Sequence, residues 1–586
     1  MQARWRKYFL CLELTASLLT APGCMMGGGH GGGGGGGGMF LPAATLSSIS
    51  PSTVTAGGPP FTLTLNGTNF VAGGQVVWNG NSVGNYTFVS STQVTFVVNA
   101  PLVASAGTAS IVVDNPTDQK APSNALSLTI QPFTSSACVL YGLYSFFFTG
   151  FETPSSGVTP FTVAGEFGVD ASGNVSGEED FKDLNGIQVA APITGGTCNN
   201  GPLANEGTLT ITTAASTSTY TFNTQTVPTP GLKGRMVEAE SNGTTGSGRF
   251  VFTPPAAFFD GDYVIALIGD DSSGGRMGVV GRFTESNPNN AASSPLTNGL
   301  ADINDNGALV SSVNTTGNVT APDLYNRCTA TVKVGAQNLT LAFYVITSSS
   351  GFAIDIDSAA GTPSLTGFVT SQANAGLYQN NQLNAPVILN TWGVVPGVPI
   401  SSDTSIGLAF GFDVNAGTFN LQLDSVTAGT PNLNQNLSAT AYTIAGTGRG
   451  TMTFTPSGGS AITYVVYLDT MNDGYMLQTS ENVGFGFFQA QASASLDNGT
   501  FLAGTLFPLT TGSPDTIDSI TLNSGTISGA LAGTYSIPSG SSRGTGTVNQ
   551  PGFGGNDFVF YIFGPDGFVV MGSDPVQNDA IAFLHM

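Results

Sequence analysis

Apolar residues in this chain recur in short runs broken by Gly, Asn, Asp and Pro, with no long stretch at helical spacing. The run Thr463-Tyr464-Val465-Val466-Tyr467-Leu468 is followed by Asn472-Asp473-Gly474 and then by Tyr475-Met476-Leu477. β-Branched and aromatic residues favour extended backbone, and Asn-Asp-Gly supplies the positive φ of a tight hairpin, so the pattern predicts strand, turn, strand. Gly564-Pro565-Asp566-Gly567 follows Phe558 to Phe563 in the same way. The expected fold class is all-β and antiparallel.

The pattern also repeats. Asp302 and Arg327, Asp424 and Arg449, and Asp518 and Arg543 are separated by one constant interval, and beyond Lys333 the chain has no cations except Arg449 and Arg543. Around them Gly-aromatic, Arg-Gly-Thr and long apolar segments recur in fixed order. They divide the chain into β units at 138–257, 258–374, 375–492 and a truncated 493–586. Unit 1 is divergent, with Asp183-Leu184-Asn185 at the Asp position and Glu206 in place of the Arg. A period of roughly 120 residues is too long for a solenoid turn, so each unit is expected to have its own core, as a β-sandwich or a small β-barrel. A cation kept at one repeat position calls for a defined partner. The expectation is an ion pair inside each unit: Asp302 with Arg327, Asp424 with Arg449, and Asp518 with Arg543.

Of the 586 residues only 9% are charged and 80 are Gly, so the surface must be built from hydroxyls, amides and backbone, as in extracellular β proteins. A net charge of −22, with 14 basic against 36 acidic residues, argues against nucleic acid, because neutralising phosphates needs clustered Lys and Arg.

Residues 1–24 read as an export signal: Arg4, Arg6 and Lys7, then the mostly apolar Tyr8 to Leu19, too short to span a bilayer. The ending Thr20-Ala21-Pro22-Gly23-Cys24 resembles the lipobox of bacterial lipoproteins, which implies lipidation of Cys24; Pro22 departs from that pattern, and plain secretion is the alternative. Residues 25–43 contain a Gly run interrupted by His30, a tether with a reach of roughly 20 Å. In an export context Cys138 and Cys198, both in unit 1, are the expected disulfide pair.

Between 44 and 131 the landmarks Ser50-Pro51, Ala56-Gly57-Gly58, Thr62 to Phe70, Val77-Trp78-Asn79-Gly80, Phe88 to Val94, Gly107 to Val113 and Ser123-Asn124 come in order. The series resembles an IPT/TIG domain, which implies an immunoglobulin-like β-sandwich with a binding or spacer role and no catalytic residues. Alternation points Leu63, Leu65, Ile111 and Val113 inward with Phe70 and Trp78, and puts Gly67 and Gly80 at turns.

Catalytic chemistry is hard to assemble from these residues. The chain has two His, His30 and His585, one in the tether and one beside the C-terminus, and no Ser stands three residues before a Lys. Glu178, Glu179, Asp180 and Asp183 could supply a carboxylate pair, and Asp302 to Gly307 a calcium turn; the favoured readings are a solvated strand end or loop for the first and an Asx turn without metal for the second. Trp392, Tyr475 and Phe568 could stack on sugars or belong to cores. The expectation is a non-enzymatic envelope protein at the outer membrane or cell surface, needing no cofactor or metal and touching the membrane only through its anchor. Its partner would be an envelope protein or a glycan.

Overall fold

The computed structural model describes residues 43–573 and 582–585, apart from short internal stretches of which 506–516 is the longest. Residues 1–42, with Cys24 and His30, lie outside the described residues, as do the side chains of Asp518 and His585.

Thr45 to Gln131 fold into two sheets, of four and five strands. Leu63, Leu65, Ile111 and Val113 share the buried core with Phe70 and Trp78. Gly80 occupies a turn at φ 86°. Gly67 does not: it lies inside the strand Phe61–Thr68, paired with Leu46, where any side chain would run into the Thr45 carbonyl. The residue is small because two backbones meet there, not because the chain reverses.

Units 2, 3 and 4 are barrels rather than sandwiches. Unit 1 is a nine-stranded sheet whose ends are drawn together by the bridge between Gly195 and Thr212, and units 2, 3 and 4 are closed barrels of eight strands. Closure leaves no strand edge exposed. Unit 4 closes without a counterpart of the first strand. Its opening strand Gly499–Thr505 pairs Ala503 with Asp518, as the second strands of units 2 and 3 pair Val280 with Asp302 and Ile406 with Asp424.

The long apolar runs follow from burial on both faces of a strand. In Gln337–Thr347, Leu339, Leu341, Phe343 and Val345 fill the barrel while Ala342, Tyr344 and Ile346 enter a second core outside it. In Ile462–Thr470, Tyr464, Val466 and Leu468 face inward while Val465 and Tyr467 join that same outer core. The outer core is one cluster drawn from all four units, from Phe147 and Ala164 of unit 1 to Tyr561 and Met571 of unit 4.

Neighbouring units share one mode of contact. The second-strand side of each unit packs against the sixth and seventh strands of the next: Arg276–Glu285 of unit 2 on Ile462–Thr470 and Asp473–Gln478 of unit 3, and Ser402–Asp413 of unit 3 on Phe553–Gly564 and Gly567–Gly572 of unit 4. The same side of unit 4, Gly499–Thr505 with Ile517–Asn523, returns to Thr217–Thr226 and Leu232–Glu238 of unit 1. A head-to-tail contact that closes after four copies makes a ring. Gly278 lies at one such approach, where an added Cβ would meet Leu477 of the next unit at 2.6 Å.

If the outer face of the barrels is a true core, Val280→Asp, fully buried between units, should destabilise the protein by upwards of about 3 kcal/mol, and Val310→Asp, 47% exposed, by less than about 0.5 kcal/mol. Urea unfolding midpoints of the two variants check this.

Candidate functional site

The repeated Asp and Arg meet, but across units and not within them. Arg327 of unit 2 grips Asp180 of unit 1, with Nε 2.7 Å from Oδ2 and Nη2 2.9 Å from Oδ1. Arg449 of unit 3 grips Asp302 of unit 2 at 2.8 and 2.7 Å, and Arg543 of unit 4 grips Asp424 of unit 3 at 2.7 and 2.7 Å. The expected pairs Asp302 with Arg327 and Asp424 with Arg449 are therefore incorrect: each Arg opens a fifth strand that faces the preceding barrel. The third expected pair falls on Asp518, whose side chain is outside the described residues; Arg543 is engaged by Asp424.

Two further donors complete every carboxylate. Arg327 and Tyr344 are cross-strand partners, as are Arg449 and Tyr467, and Arg543 and Tyr561, so each Tyr points the same way as its Arg. The Tyr hydroxyls donate to Oδ2 of Asp180, Asp302 and Asp424 at 2.8, 2.7 and 2.6 Å. The fourth donor is a backbone N–H from the adjacent strand of the carboxylate's own unit: Ala190 at 2.8 Å, Ser312 at 3.0 Å and Asn434 at 2.7 Å. These three residues have φ of 49°, 57° and 53°, left-handed positions that turn the amide toward the carboxylate. An ionised carboxylate has about four acceptor sites, and all are filled.

Asp180, Asp302 and Asp424 are completely buried. Burial weighs against the charge of Arg327, yet the hydrogen bonds and charge of Asp180 outweigh it and hold the guanidinium above its ordinary value. Burial, and then the charge of Asp302, push the Tyr467 hydroxyl far up, so it stays a donor. The arrangement is a saturated strut with no open coordination position and no free nucleophile.

Unit 1 has its strut at Asp180, not at the expected Asp183. Asp183 lies on the opposite face of Val175–Asp183 and caps a turn, accepting from the N–H groups of Asn185 at 2.8 Å and Gly186 at 2.5 Å. Glu178 shares the Asp180 face and Asp183 does not, so these two cannot act together as a carboxylate pair. Glu178 stands 3.7 Å from Arg327, and burial together with the charge of Asp323 raises its carboxyl to about 7. Burial, then Asp180, raises Glu179 to about 7, and burial lifts Glu166, which accepts from Asn326 of unit 2 at 3.0 Å, well above the usual range.

The other candidates are structural. Asn306 and Gly307, at φ 48° and 92°, form a hairpin turn in which Asn304 Oδ1 accepts from the Gly307 N–H at 2.9 Å, while Asn304 Nδ2 donates to the carbonyls of Gln478 and Asn482 in unit 3 at 2.7 and 2.9 Å. Among the described residues no group of three or more His, Cys, Asp and Glu could hold a metal ion. Trp392 and Phe568 are each 2% exposed. Cys138 and Cys198 form a disulfide with a Cα separation of 5.6 Å, and Cys328 is a buried free thiol.

Removing Arg449 strands a buried carboxylate, so Arg449→Met should cost about 2–3 kcal/mol, discounted because this Arg is 22% exposed. Chemical denaturation measures it. The raised carboxyls have a second consequence. Glu178 and Glu179 ordinarily titrate at 4.5 and here at about 7, so between these values the folded state holds more protons than the unfolded. Their contribution is present at low pH and lost as pH rises through about 7. The wild-type urea midpoint should fall between pH 5 and pH 8, and fall less in the E178Q/E179Q variant.

Residues 44–130 match the IPT/TIG domain family. The comparison with curated proteins found no match. Among solved structures, the crystal structure of an AttH from Nitrosomonas europaea aligns over 39% of this chain and 92% of that one, at 8% identity and a TM-score of 0.17, a likeness too slight to bear on fold or function. From its two-sheet core, its alternation and this match, the N-terminal part of the described chain is an IPT/TIG domain of immunoglobulin-like fold.

Proposed function

We propose that this is an exported bacterial envelope protein, lipid-anchored at Cys24, that binds a surface partner and catalyses no reaction. The observation that carries this reading is an IPT/TIG domain held against a closed ring of barrels. Tyr141 of unit 1 donates to the Ala56 carbonyl at 2.8 Å and stacks on Phe133 at 4.3 Å, so the immunoglobulin-like domain is braced on the ring. Its edge strand Thr87–Ser90 exposes Phe88 and Val89, an open strand to which a partner segment can add.

Other features support the same reading. The Cys138–Cys198 bond suits an oxidising compartment. Of the carboxylates that suggested catalysis, Asp180 is engaged in a strut and Asp183 in a turn, and no cofactor is needed for a binding role. A glycan partner has less in its favour, because Trp392 and Phe568 are buried and Tyr475 lies between units. An envelope protein is the partner this surface suits best.

In the producing cell, labelled palmitate should enter the wild type and not Cys24→Ala, and the variant should be released from the membrane fraction. Equal labelling of both would overturn the anchored reading.

A further inference from the structure

Two short polar rows meet where unit 1 touches unit 2. In unit 1, Thr149 of Gly142–Glu152 is the cross-strand partner of Thr162 in Thr159–Val169. In unit 2, Asp270 pairs with Ser364 on one side and Arg276 on the other. The hydroxyls of Thr162 and Ser364 lie 3.0 Å apart and tie the rows together. Beside that bond Thr149, Phe151, Asp270 and Arg276 line a pocket of about 290 Å³, solvent-open space included. Its inner end has room for little more than a water-sized group.

The polar groups of this pocket are unmet, whereas those of the struts are saturated. The Thr149 hydroxyl is buried and makes no hydrogen bond. The strut arginines grip their carboxylates through Nε and Nη2, but the Nε of Arg276 is buried and unbonded. Only Nη1 of this side chain, itself 10% exposed, makes contacts, at 3.5 Å from the Gly269 carbonyl and 3.6 Å from Asp270. Both separations exceed a good N–H···O bond. Beyond that ion pair the Asp270 carboxylate accepts no hydrogen bond among the described residues, and burial raises it above its usual value despite the Arg276 charge. Such groups are costly to bury unmet.

We infer that this pocket binds a small polyol, a free sugar or sugar alcohol, with one hydroxyl seated in its inner end. A hydroxyl donates and accepts at once. It accepts from the Arg276 Nε–H, shares a hydrogen bond with Thr149 and donates to Asp270, so one neutral group meets all three. An oxyanion would suit Arg276 and be repelled by Asp270; a cation would suit Asp270 and leave the Nε–H unmatched. Phe151, two residues from Thr149 on the same strand face and partly exposed, places an aromatic ring at the mouth for the carbon face of the ligand. Because a hydroxyl reproduces the hydrogen bonds of a water, it displaces one at little loss. The site is separate from the edge strand of the immunoglobulin-like domain and does not depend on the partner bound there.

The test is titration of the full chain with D-glucose, N-acetyl-D-glucosamine and sorbitol, read by saturation-transfer NMR of the ligand protons. Expected is saturable transfer to at least one of these probes, with no competition from sodium succinate or ammonium chloride. Thr149→Val keeps the side-chain shape and removes the hydroxyl, so the Kd should rise about three- to tenfold, the loss of one hydrogen bond. Phe151→Ala is the second variant should the first not fold, and it should weaken binding to a similar degree. No transfer to any probe, which leaves the pocket to water alone, competition by either ion, or an unchanged Kd in the variants overturns the inference.

Discussion

The structure depends on a carboxylate that belongs to one barrel and is neutralised by the next. A fully buried Asp is costly to desolvate, and only the complete set of donors, two from Arg, one from Tyr and one from a left-handed backbone amide, makes it tolerable. Three of these donors come from the following unit. A neighbour shifted or rotated by one residue would leave the charge bare. The strut therefore discriminates strongly among arrangements even where its net contribution to stability is small, and that is the service buried ion pairs are best placed to give.

Once the register of one interface is fixed, its repetition fixes the ring. The outer core that fills it is continuous through all four units, so strands must be apolar on both faces, and this explains runs such as Phe558 to Phe563. The fourth contact, from unit 4 back to unit 1, differs. At the positions of Arg and Tyr, unit 1 has the cross-strand pair Glu206 and Asn223, and Asn223 is buried with neither amide atom bonded. The ring is thus held by three struts and closed by a contact that lacks the Arg–Tyr pair. The divergence of unit 1 reflects its two special duties, to carry the IPT/TIG domain and to receive the last barrel.

Much of this was legible in the residues. The scarcity of cations exposed the repeat, strand alternation exposed the IPT/TIG core, and turn chemistry exposed the hairpins. What a constant interval cannot tell is whether a residue reaches its own unit or the preceding one, because in a regular array both separations recur. The Asp strands and Arg strands lie on sides of the barrel that face different neighbours, and this appears only in three dimensions. In unit 1 the similarity of Asp183-Leu184-Asn185 to Asp302-Ile303-Asn304 drew attention to a turn, while the strut Asp180 was marked by the residue ten places on whose N–H it accepts. The Tyr of each strut held a nearly constant place after its Arg and could have been found.

The central claim is that the struts run between barrels. A double-mutant cycle tests it most directly, measuring the coupling of Arg449 with Asp302 of the preceding unit and with Asp424 of its own, using Met and Asn replacements and urea unfolding. Struts between units give a coupling of about 1–3 kcal/mol for Arg449 with Asp302, and less than about 0.5 kcal/mol for Arg449 with Asp424. A dominant coupling between Arg449 and Asp424 would contradict the arrangement described.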